Sequence, residues 1–149
     1  MAKTIKRSKA AFGKQIELYV KALLLKEGAD VYTPEVDDKA IDILVKTPTN
    51  HFNEIQVKAV TKGALFAAIS HKPQKKLRNN NYWFVFYSEE LDKFWVLSSQ
   101  EFVAEASQNK KGKHIGKYSI QFHSKSNGTV VANPKYSKYE VTNFRRITM

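Results

Sequence analysis

Three polar side chains that could form one reactive site lie on two neighbouring stretches of alternating apolar and polar sequence. These are the carboxylate of Asp42, the carboxamide of Gln56 and the ammonium of Lys58. In an antiparallel hairpin whose loop is centred near Asn50, Asp42 lies opposite Lys58 and on the same face as Gln56. Burial beside an apolar layer penalises such polar groups unless something compensates them. A divalent cation would compensate them, so this face predicts a metal site.

Two predicted β-strands joined by a turn carry these side chains. Residues 40–46 and 52–60 both alternate with a period of two around β-branched residues, and a Pro-Thr-Asn sequence supplies the turn between them. The predicted register also places Lys46 opposite Glu54. The opposite face is apolar and is the predicted core face: Ile41, Ile43, Val45, Ile55, Val57 and Ala59.

A helix at about residues 8–27 precedes the hairpin. It begins at a serine suited to cap it, and Gly28 lies where a helix commonly ends. Glu17 lies at the edge of its apolar face and can reach along the sheet surface. On the helix alone, Glu17 is better explained as a solvated carboxylate paired with Lys14 or Lys21, and only the hairpin reverses this. The predicted apolar face consists of Phe12, Ile16, Tyr19, Val20 and Leu23.

Glu17, Asp42 and the run Gln56-Val57-Lys58 together resemble the site motif of the PD-(D/E)XK nuclease superfamily. That superfamily includes many restriction endonucleases, Holliday-junction resolvases and some homing endonucleases. Its members bind magnesium through an acidic residue on the first helix, an aspartate on one strand and an acidic-x-lysine pair on the next. Gln56 replaces the usual acidic residue, as it does in several branches of the superfamily.

The resemblance implies an α/β fold with a restriction-endonuclease-like core, in which helices flank a mixed β-sheet. It implies metal-assisted phosphodiester hydrolysis with the catalytic residues Glu17, Asp42, Gln56 and Lys58. The metal would be Mg²⁺, or Mn²⁺ in its place, and magnesium prefers oxygen ligands. Its protein ligands would be the side chains of Glu17, Asp42 and Gln56 and the main-chain carbonyl of Val57. Lys58 would position the attacking water or stabilise the developing charge, and whether it also takes a proton stays open.

The balance of charge fits a polyanionic partner. The 149 residues include 25 lysines and arginines against 14 aspartates and glutamates, which gives a net charge of +11. Solubility alone is the alternative explanation, but the expected partner is double-stranded DNA. The expected phosphate contacts are basic residues of two loops: Lys62, Lys72, Lys75, Lys76, Arg78, Lys110, Lys111 and Lys113. A solvated loop explains the first of these runs equally well.

The chain is expected to form one nuclease domain over residues 1–149, with a catalytic core at about 8–108. Residues 109–149 form a basic, β-rich C-terminal extension that looks like a DNA reader. The length suits a single domain with a substantial core.

Within the core, a crossover with a short helix around residues 63–69 follows the hairpin. Residues 82–87 are apolar on both faces, which predicts a central strand, and residues 93–97 pair next to it. A capping box at residues 98–101 begins a second helix.

Several classes of function are excluded. The sequence has no cysteine, so disulfides and thiolate metal sites are absent. It contains no motif for a serine or cysteine nucleophile and no glycine-rich phosphate loop. The longest uncharged apolar run, residues 64–69, is too short to span a membrane. We therefore expect a soluble, cytoplasmic protein with no membrane partner.

The expected activity is site-specific cleavage of both DNA strands, as in a restriction or homing endonuclease. A Holliday-junction resolvase or a repair nuclease fits the same motif. A non-catalytic nucleic-acid-binding module is the alternative from another class, although the presence of Asp42 and Lys58 disfavours it. One metal cluster per chain calls for a homo-oligomer, a dimer or a dimer of dimers, to cut two strands. Candidate contacts, each of which could equally be core, are Phe102, Tyr136 and Phe144.

Overall fold

The computed structural model describes residues 6–36, 40–60, 67–69, 79–113 and 115–149, with the main chain alone for 67–69. The elements in chain order are α1 (Lys9–Lys26), β1 (Asp30–Tyr32), β2 (Ile43–Lys46), β3 (Phe52–Val60), β4 (Ala67–Ile69), β5 (Tyr82–Ser88), β6 (Lys93–Ser98), α2 (Ser99–Glu105), β7 (Ser107–Gln108), β8 (Tyr118–Ile120), β9 (His123–Ser126), β10 (Thr129–Ala132), a 3-10 helix (Pro134–Tyr139), β11 (Glu140–Val141) and α3 (Arg145–Thr148).

Six of the described strands form one mixed sheet in the order β1-β2-β3-β5-β6-β11. β3 and β5 run parallel, and every other neighbouring pair is antiparallel. Nearly every residue of β5 is buried, which confirms the prediction of a central strand apolar on both faces. The described residues also form a smaller sheet, β4-β8-β7, and a two-stranded ribbon of β9 and β10. The predicted α/β class with a mixed sheet and flanking helices is confirmed.

Helix α1 covers one face of the sheet because its apolar residues recur every three or four positions. The residues that it buries there are Phe12, Ile16, Val20 and Leu24. Ile43, Val45 and Ile55 of the hairpin meet them and are fully buried, as predicted. Tyr19, predicted to share this face, is 40% exposed because it lies at its edge, where its ring packs on Tyr87 and Phe94.

A second core fills the other face of the sheet and is dominated by aromatic rings. Its largest members are Tyr82, Phe84, Phe86, Trp95, Phe102 and Phe122. The C-terminal third contributes to both cores, because Tyr136 joins this one while Phe144 packs beneath α1. The suggestion that Phe102, Tyr136 and Phe144 contact a second subunit is therefore wrong. All three side chains are buried within the chain.

The predicted register of the β2–β3 hairpin is wrong by two residues. Lys46 lies opposite Phe52 rather than Glu54. The reason is that the loop closes earlier than predicted, with Thr47 N–H donating to the carbonyl of His51 at 2.7 Å. Asn50 takes the left-handed conformation in this turn, with φ of 64°. Because side chains alternate with a period of two, a shift of two residues leaves each side chain on its predicted face.

The ends of α1 and α2 agree with the sequence. Ser8 caps α1 by accepting the Ala11 N–H, and Gly28 follows the helix with φ of 83°. Ser98 and Glu101 form the predicted capping box of α2. Within the described part of the chain, no helix combines the length and the apolar character that crossing a membrane requires.

The short helix predicted around residues 63–69 is wrong where the structure describes it. Ala67–Ile69 is strand β4, which pairs antiparallel with β8. Alanine favours helices, but its preference amounts to a few tenths of a kcal/mol per residue and gives way to tertiary pairing. The remainder of the predicted helix lies outside the described residues.

Candidate active site

The site lies where the β2–β3 hairpin opens. β2 pairs with β3 as far as Ile43, whose partner is Ile55, whereas β3 continues to Val60. Asp42 comes directly before the first residue of β2 and hydrogen-bonds to the next part of β3. Its N–H donates to the carbonyl of Ile55 at 2.9 Å, and its Oδ2 accepts the N–H of Val57 at 2.7 Å. The carboxylate of Asp42 is therefore fixed against the main chain of β3.

The carbonyl of Val57 points to the same side as the Asp42 carboxylate. In an extended strand, the N–H and C=O groups of one residue point the same way. Since the N–H of Val57 reaches Asp42, its carbonyl oxygen also faces the side that β2 has left open. A main-chain oxygen thus lies on the same side of β3 as the carboxylate.

A cleft of about 540 Å³ occupies this opening, between the first turns of α1 and the end of β3. All five residues predicted to form the site line it: Glu17, Asp42, Gln56, Val57 and Lys58. They come from three separate parts of the chain, and the fold brings them to one place. Lys9, Lys14 and Ala40 also line this cleft.

Gln56 is held by a residue that the sequence analysis missed. Tyr82, on the adjacent strand β5, is fully buried, and its hydroxyl lies 3.0 Å from Gln56 Oε1 and 2.8 Å from the carbonyl oxygen of Ala40. Burial, and then the nearby carboxylates of Asp42 and Glu54, raise the pKa of Tyr82 well above its ordinary value. The hydroxyl therefore keeps its proton at neutral pH and acts as a hydrogen-bond donor.

A signal for Tyr82 was present in the sequence. It is the first residue of an otherwise apolar strand, and buried tyrosine hydroxyls usually find a partner. What the sequence did not show is the parallel pairing of β3 and β5, in which Tyr82 lies beside Glu54 and Phe84 beside Gln56. Only that pairing brings the hydroxyl to the Gln56 carboxamide.

Glu17 forms the ion pairs that the solvated alternative predicted, and it also lines the cleft. Its carboxylate accepts from Lys14 at 3.1 Å and from Lys21 at 3.0 Å. The carboxylate is nevertheless largely shielded, because its side chain is 12% exposed and that of Lys21 is 14% exposed. Glu17 is therefore both an ion-paired carboxylate of the helix and a residue of the cleft. A cation entering the cleft would compete with two ammonium groups for this carboxylate.

Lys58 is half-buried at the cleft. Within the described part of the chain, no hydrogen bond or ion pair involves its ammonium group, and it forms no salt bridge with Asp42. Its charge is accordingly available to a ligand in the cleft.

The donors at the cleft fit a hard cation. They are the carboxylates of Glu17 and Asp42, the carboxamide of Gln56 and the main-chain oxygen of Val57, all oxygen donors of the kind that magnesium prefers. Among the described residues, no group of three or more His, Cys, Asp or Glu side chains could hold a metal. Two carboxylates alone are a weak site, so a cation here would depend on the neutral oxygens as well.

The predicted DNA contacts divide into two groups. Lys110, Lys111 and Lys113 lie exposed in the loop between β7 and β8. The other predicted contacts lie outside the described residues: Lys62, Lys72, Lys75, Lys76 and Arg78.

Solved structures of nucleases share this fold. A bacterial homing endonuclease, I-Ssp6803I, is 19% identical in sequence, with 91% of this chain and 88% of that chain covered and a TM-score of 0.57. A nuclease from a fusselovirus is 13% identical, with 79% and 86% covered and a TM-score of 0.51. Hjc, a Holliday junction resolvase from the archaeal hyperthermophile Archaeoglobus fulgidus, is 16% identical, with 71% and 86% covered and a TM-score of 0.48.

The chain therefore has the restriction-endonuclease-like nuclease fold that its motif implied. No protein-family model matches the sequence, and no curated protein matches it.

Proposed function

We propose that the protein is a magnesium-dependent endonuclease that hydrolyses phosphodiester bonds in double-stranded DNA. The observation that carries this proposal is the meeting of Glu17, Asp42, Gln56 and Lys58 in one cleft at the opening of the hairpin. The fold shared with a homing endonuclease and a viral nuclease supports it.

Each residue of the cleft has a role that follows from its setting. Asp42 holds a negative charge at a fixed place beside β3, and Gln56 adds an oxygen without adding charge. Lys58 follows Gln56 by two positions, so its side chain leaves β3 on the same face and can position a water or a phosphate oxygen. When bound, magnesium would lower the pKa of a coordinated water and offset the charge of the phosphate.

The charge of the cleft separates DNA binding from cleavage. Glu17 and Asp42 contribute two negative charges. Lysines in the cleft or paired with Glu17 contribute four positive charges, and these are Lys9, Lys14, Lys21 and Lys58. Among the described residues, the difference is two positive charges before any cation binds, which favours the approach of a phosphodiester. Variants that lose a carboxylate should consequently still bind DNA while failing to cut it.

The proposal is tested by incubating the protein with supercoiled, linear and four-way-junction DNA in the presence of Mg²⁺ or EDTA. We expect supercoiled DNA to become linear with Mg²⁺ and to stay intact with EDTA. A discrete set of fragments from linear DNA would establish site-specific cleavage of the restriction or homing type. Cleavage of the junction alone would instead identify a resolvase, and nicking alone a repair nuclease. Binding without any cleavage would refute the proposal in favour of a non-catalytic DNA-binding module.

The exposed loop lysines should contribute to DNA affinity through the phosphate backbone. We expect the triple substitution of Lys110, Lys111 and Lys113 by glutamine to weaken binding of all sequences alike. The dependence of log affinity on log salt concentration should flatten by about one unit for each phosphate that the variant no longer neutralises. Fluorescence anisotropy with labelled duplexes over a range of salt concentrations measures this slope.

A triple variant with the same loss of charge provides the control. Lys26, Lys125 and Lys135 are exposed and lie on other elements, in α1, β9 and the 3-10 helix. Their substitution by glutamine should change the slope by less than about one unit. An equal change in both triple variants would mean that DNA responds to net charge and that the loop has no particular role in binding.

The active species should be a homo-oligomer, at least a dimer. Each chain offers one such cleft among its described residues, and one cleft attacks one phosphodiester at a time. Two copies related by a two-fold axis would match the pseudo-symmetry of duplex DNA. Sedimentation equilibrium at moderate salt measures the mass. A strict monomer that makes double-strand breaks in a single turnover at low concentration would contradict this expectation.

A further inference from the structure

We propose that Tyr82 is a positioning residue that determines which end of the Gln56 carboxamide faces the cleft. The inference rests on the proposed function, because the orientation of this amide matters only if its oxygen binds a cation. It is carried by one buried hydroxyl that lies within hydrogen-bonding distance of two oxygen atoms on separate segments of the site.

A hydroxyl group has one proton and can make one good donation at a time. The Tyr82 oxygen lies 2.8 Å from the carbonyl oxygen of Ala40 and 3.0 Å from Gln56 Oε1. The shorter distance matches the preferred O–H···O separation of about 2.7–2.8 Å, so we assign the proton to the hydrogen bond with the Ala40 carbonyl. The lone pairs of Tyr82 then face Gln56, and an oxygen there would be repelled.

Rotation of the Gln56 carboxamide by half a turn about its Cγ–Cδ bond removes this repulsion, because it exchanges the positions of Oε1 and Nε2. Its NH₂ group then donates to the Tyr82 oxygen, while Tyr82 donates to the carbonyl of Ala40. This relay leaves Gln56 Oε1 directed away from Tyr82 and into the cleft that Gln56 lines. An amide can bind a cation only through its oxygen, because its nitrogen carries no available lone pair. Tyr82 thereby presents the correct end of the amide.

The same hydroxyl also ties together the two segments that carry the candidate ligands. Ala40 lies two residues before Asp42 and has a left-handed main chain with φ of 55°, a conformation that a non-glycine residue adopts only at some cost. The Tyr82 hydroxyl of β5 contacts both the carbonyl oxygen of Ala40 and the side-chain carboxamide of Gln56 on β3. Tyr82 therefore links the segment that leads into Asp42 to the Gln56 side chain.

A glutamate at position 56 would not need this orientation. The two oxygens of a carboxylate are equivalent, so either can face the cleft whichever way the group turns. Tyr82 should consequently matter when residue 56 is glutamine and matter much less when it is glutamate. The substitution Gln56→Glu also adds a negative charge, so we expect this variant to bind the metal more tightly.

A double-mutant cycle tests the proposal through cleavage rates at saturating DNA and a series of Mg²⁺ concentrations. In the natural background, Tyr82→Phe should lower the rate at limiting Mg²⁺ by about 10- to 100-fold, as the loss of a group that orients a metal ligand does. In the Gln56→Glu background, the same change should lower the rate by less than about threefold. Equal losses in both backgrounds would overturn the proposal, because a general effect on packing would not depend on residue 56.

Tyr87→Phe is the matched control. Tyr87 lies on the same strand and is also buried, but its hydroxyl donates to Asp92 at 2.9 Å and its ring packs in the core beneath α1. We expect Tyr87→Phe to leave the Mg²⁺ dependence of cleavage unchanged, even though each variant removes one hydroxyl group. Thermal unfolding of both variants corrects for any difference in stability.

A measurement without activity separates this inference from the proposed function. Hydrogen exchange of the Gln56 side-chain NH₂ group, followed by ¹⁵N NMR, should be slow in the natural protein and at least tenfold faster in Tyr82→Phe. Slow exchange in a protein that cleaves no DNA would refute the proposed function alone. Cleavage by a protein whose Gln56 NH₂ group exchanges equally fast with and without the Tyr82 hydroxyl would refute the orientation alone.

Discussion

Asp42→Asn should lower Mg²⁺-dependent cleavage by about 10³-fold, the magnitude seen when one strong electrostatic contribution to a transition state is removed. The variant should still fold and should still bind DNA. Among the described residues, Asp42 carries one of the two carboxylates that line the cleft, and asparagine removes its charge while keeping its shape. Cleavage assays in Mg²⁺ and calorimetric titration of Mg²⁺ should show a loss of rate together with a loss of cation affinity.

Asparagine is preferable to alanine at this position because Asp42 also has a structural role. Its Oδ2 accepts the N–H of Val57 at 2.7 Å where β3 has no β2 partner. Alanine would leave that N–H unsatisfied, at a cost of about 1–3 kcal/mol, and would confuse unfolding with loss of chemistry. The side-chain oxygen of asparagine can still accept this hydrogen bond.

Asp92→Asn serves as the control for loss of a carboxylate. Asp92 accepts the hydroxyl of Tyr87 at 2.9 Å and lies in the turn between β5 and β6, outside the cleft. Its substitution should leave cleavage within about twofold of the natural rate, as for surface changes away from a functional feature. If Asp42→Asn cut DNA as fast as Asp92→Asn, the assignment of the cleft would be wrong.

The meeting of the candidate site residues in one cleft could be expected from the sequence because their placement depends partly on local rules. Gln56 and Lys58 share a face since side chains alternate along a strand, and helical periodicity puts Glu17 at the edge of the apolar face of α1. The predicted register of the hairpin is wrong, yet Asp42 still reaches the correct face because the error is two residues. An error of one residue would have turned its side chain into the core.

The parts that could not be predicted depend on contacts between distant segments. Tyr82 joins the site through the parallel pairing of β3 with β5, which no local pattern specifies. Residues 67–69 form a strand because β8, about fifty positions further along the chain, pairs with them. The composition of the C-terminal extension suggests a DNA reader added to the core. In the structure, strand β11 of this extension pairs with β6 at the edge of the central sheet. Tyr136 and Phe144 of this C-terminal extension are core residues because the extension packs against both faces of the central sheet.

Lys58→Met should lower cleavage by about 10²–10³-fold while leaving the affinity for Mg²⁺ unchanged or higher. The physical reason is that Lys58 brings a positive charge to the cleft without belonging to its oxygen donors. Under the proposed mechanism, removing it takes away a group that positions water or stabilises the developing charge, and it also removes repulsion between an ammonium and an entering cation. The combination of lower rate and retained metal binding distinguishes Lys58 from Asp42.

The fold should tolerate this substitution well. Within the described residues, the ammonium of Lys58 forms no hydrogen bond or ion pair, so methionine leaves no polar group there without its partner. Methionine also preserves much of the side-chain volume at this half-buried position. We therefore expect the free energy of unfolding of Lys58→Met to equal or exceed that of the natural protein, as denaturant titration would show.

Lys46→Met is the matched control for the loss of this charge. Lys46 is half-buried in the same hairpin, on β2, and lines a different depression near the C terminus. It should retain a cleavage rate within about twofold of the natural protein. Equal rates for the Lys46 and Lys58 variants would remove Lys58 from the catalytic set. A fall in Mg²⁺ affinity confined to Lys58→Met would show instead that this lysine supports the cation site and that its effect on the rate is indirect.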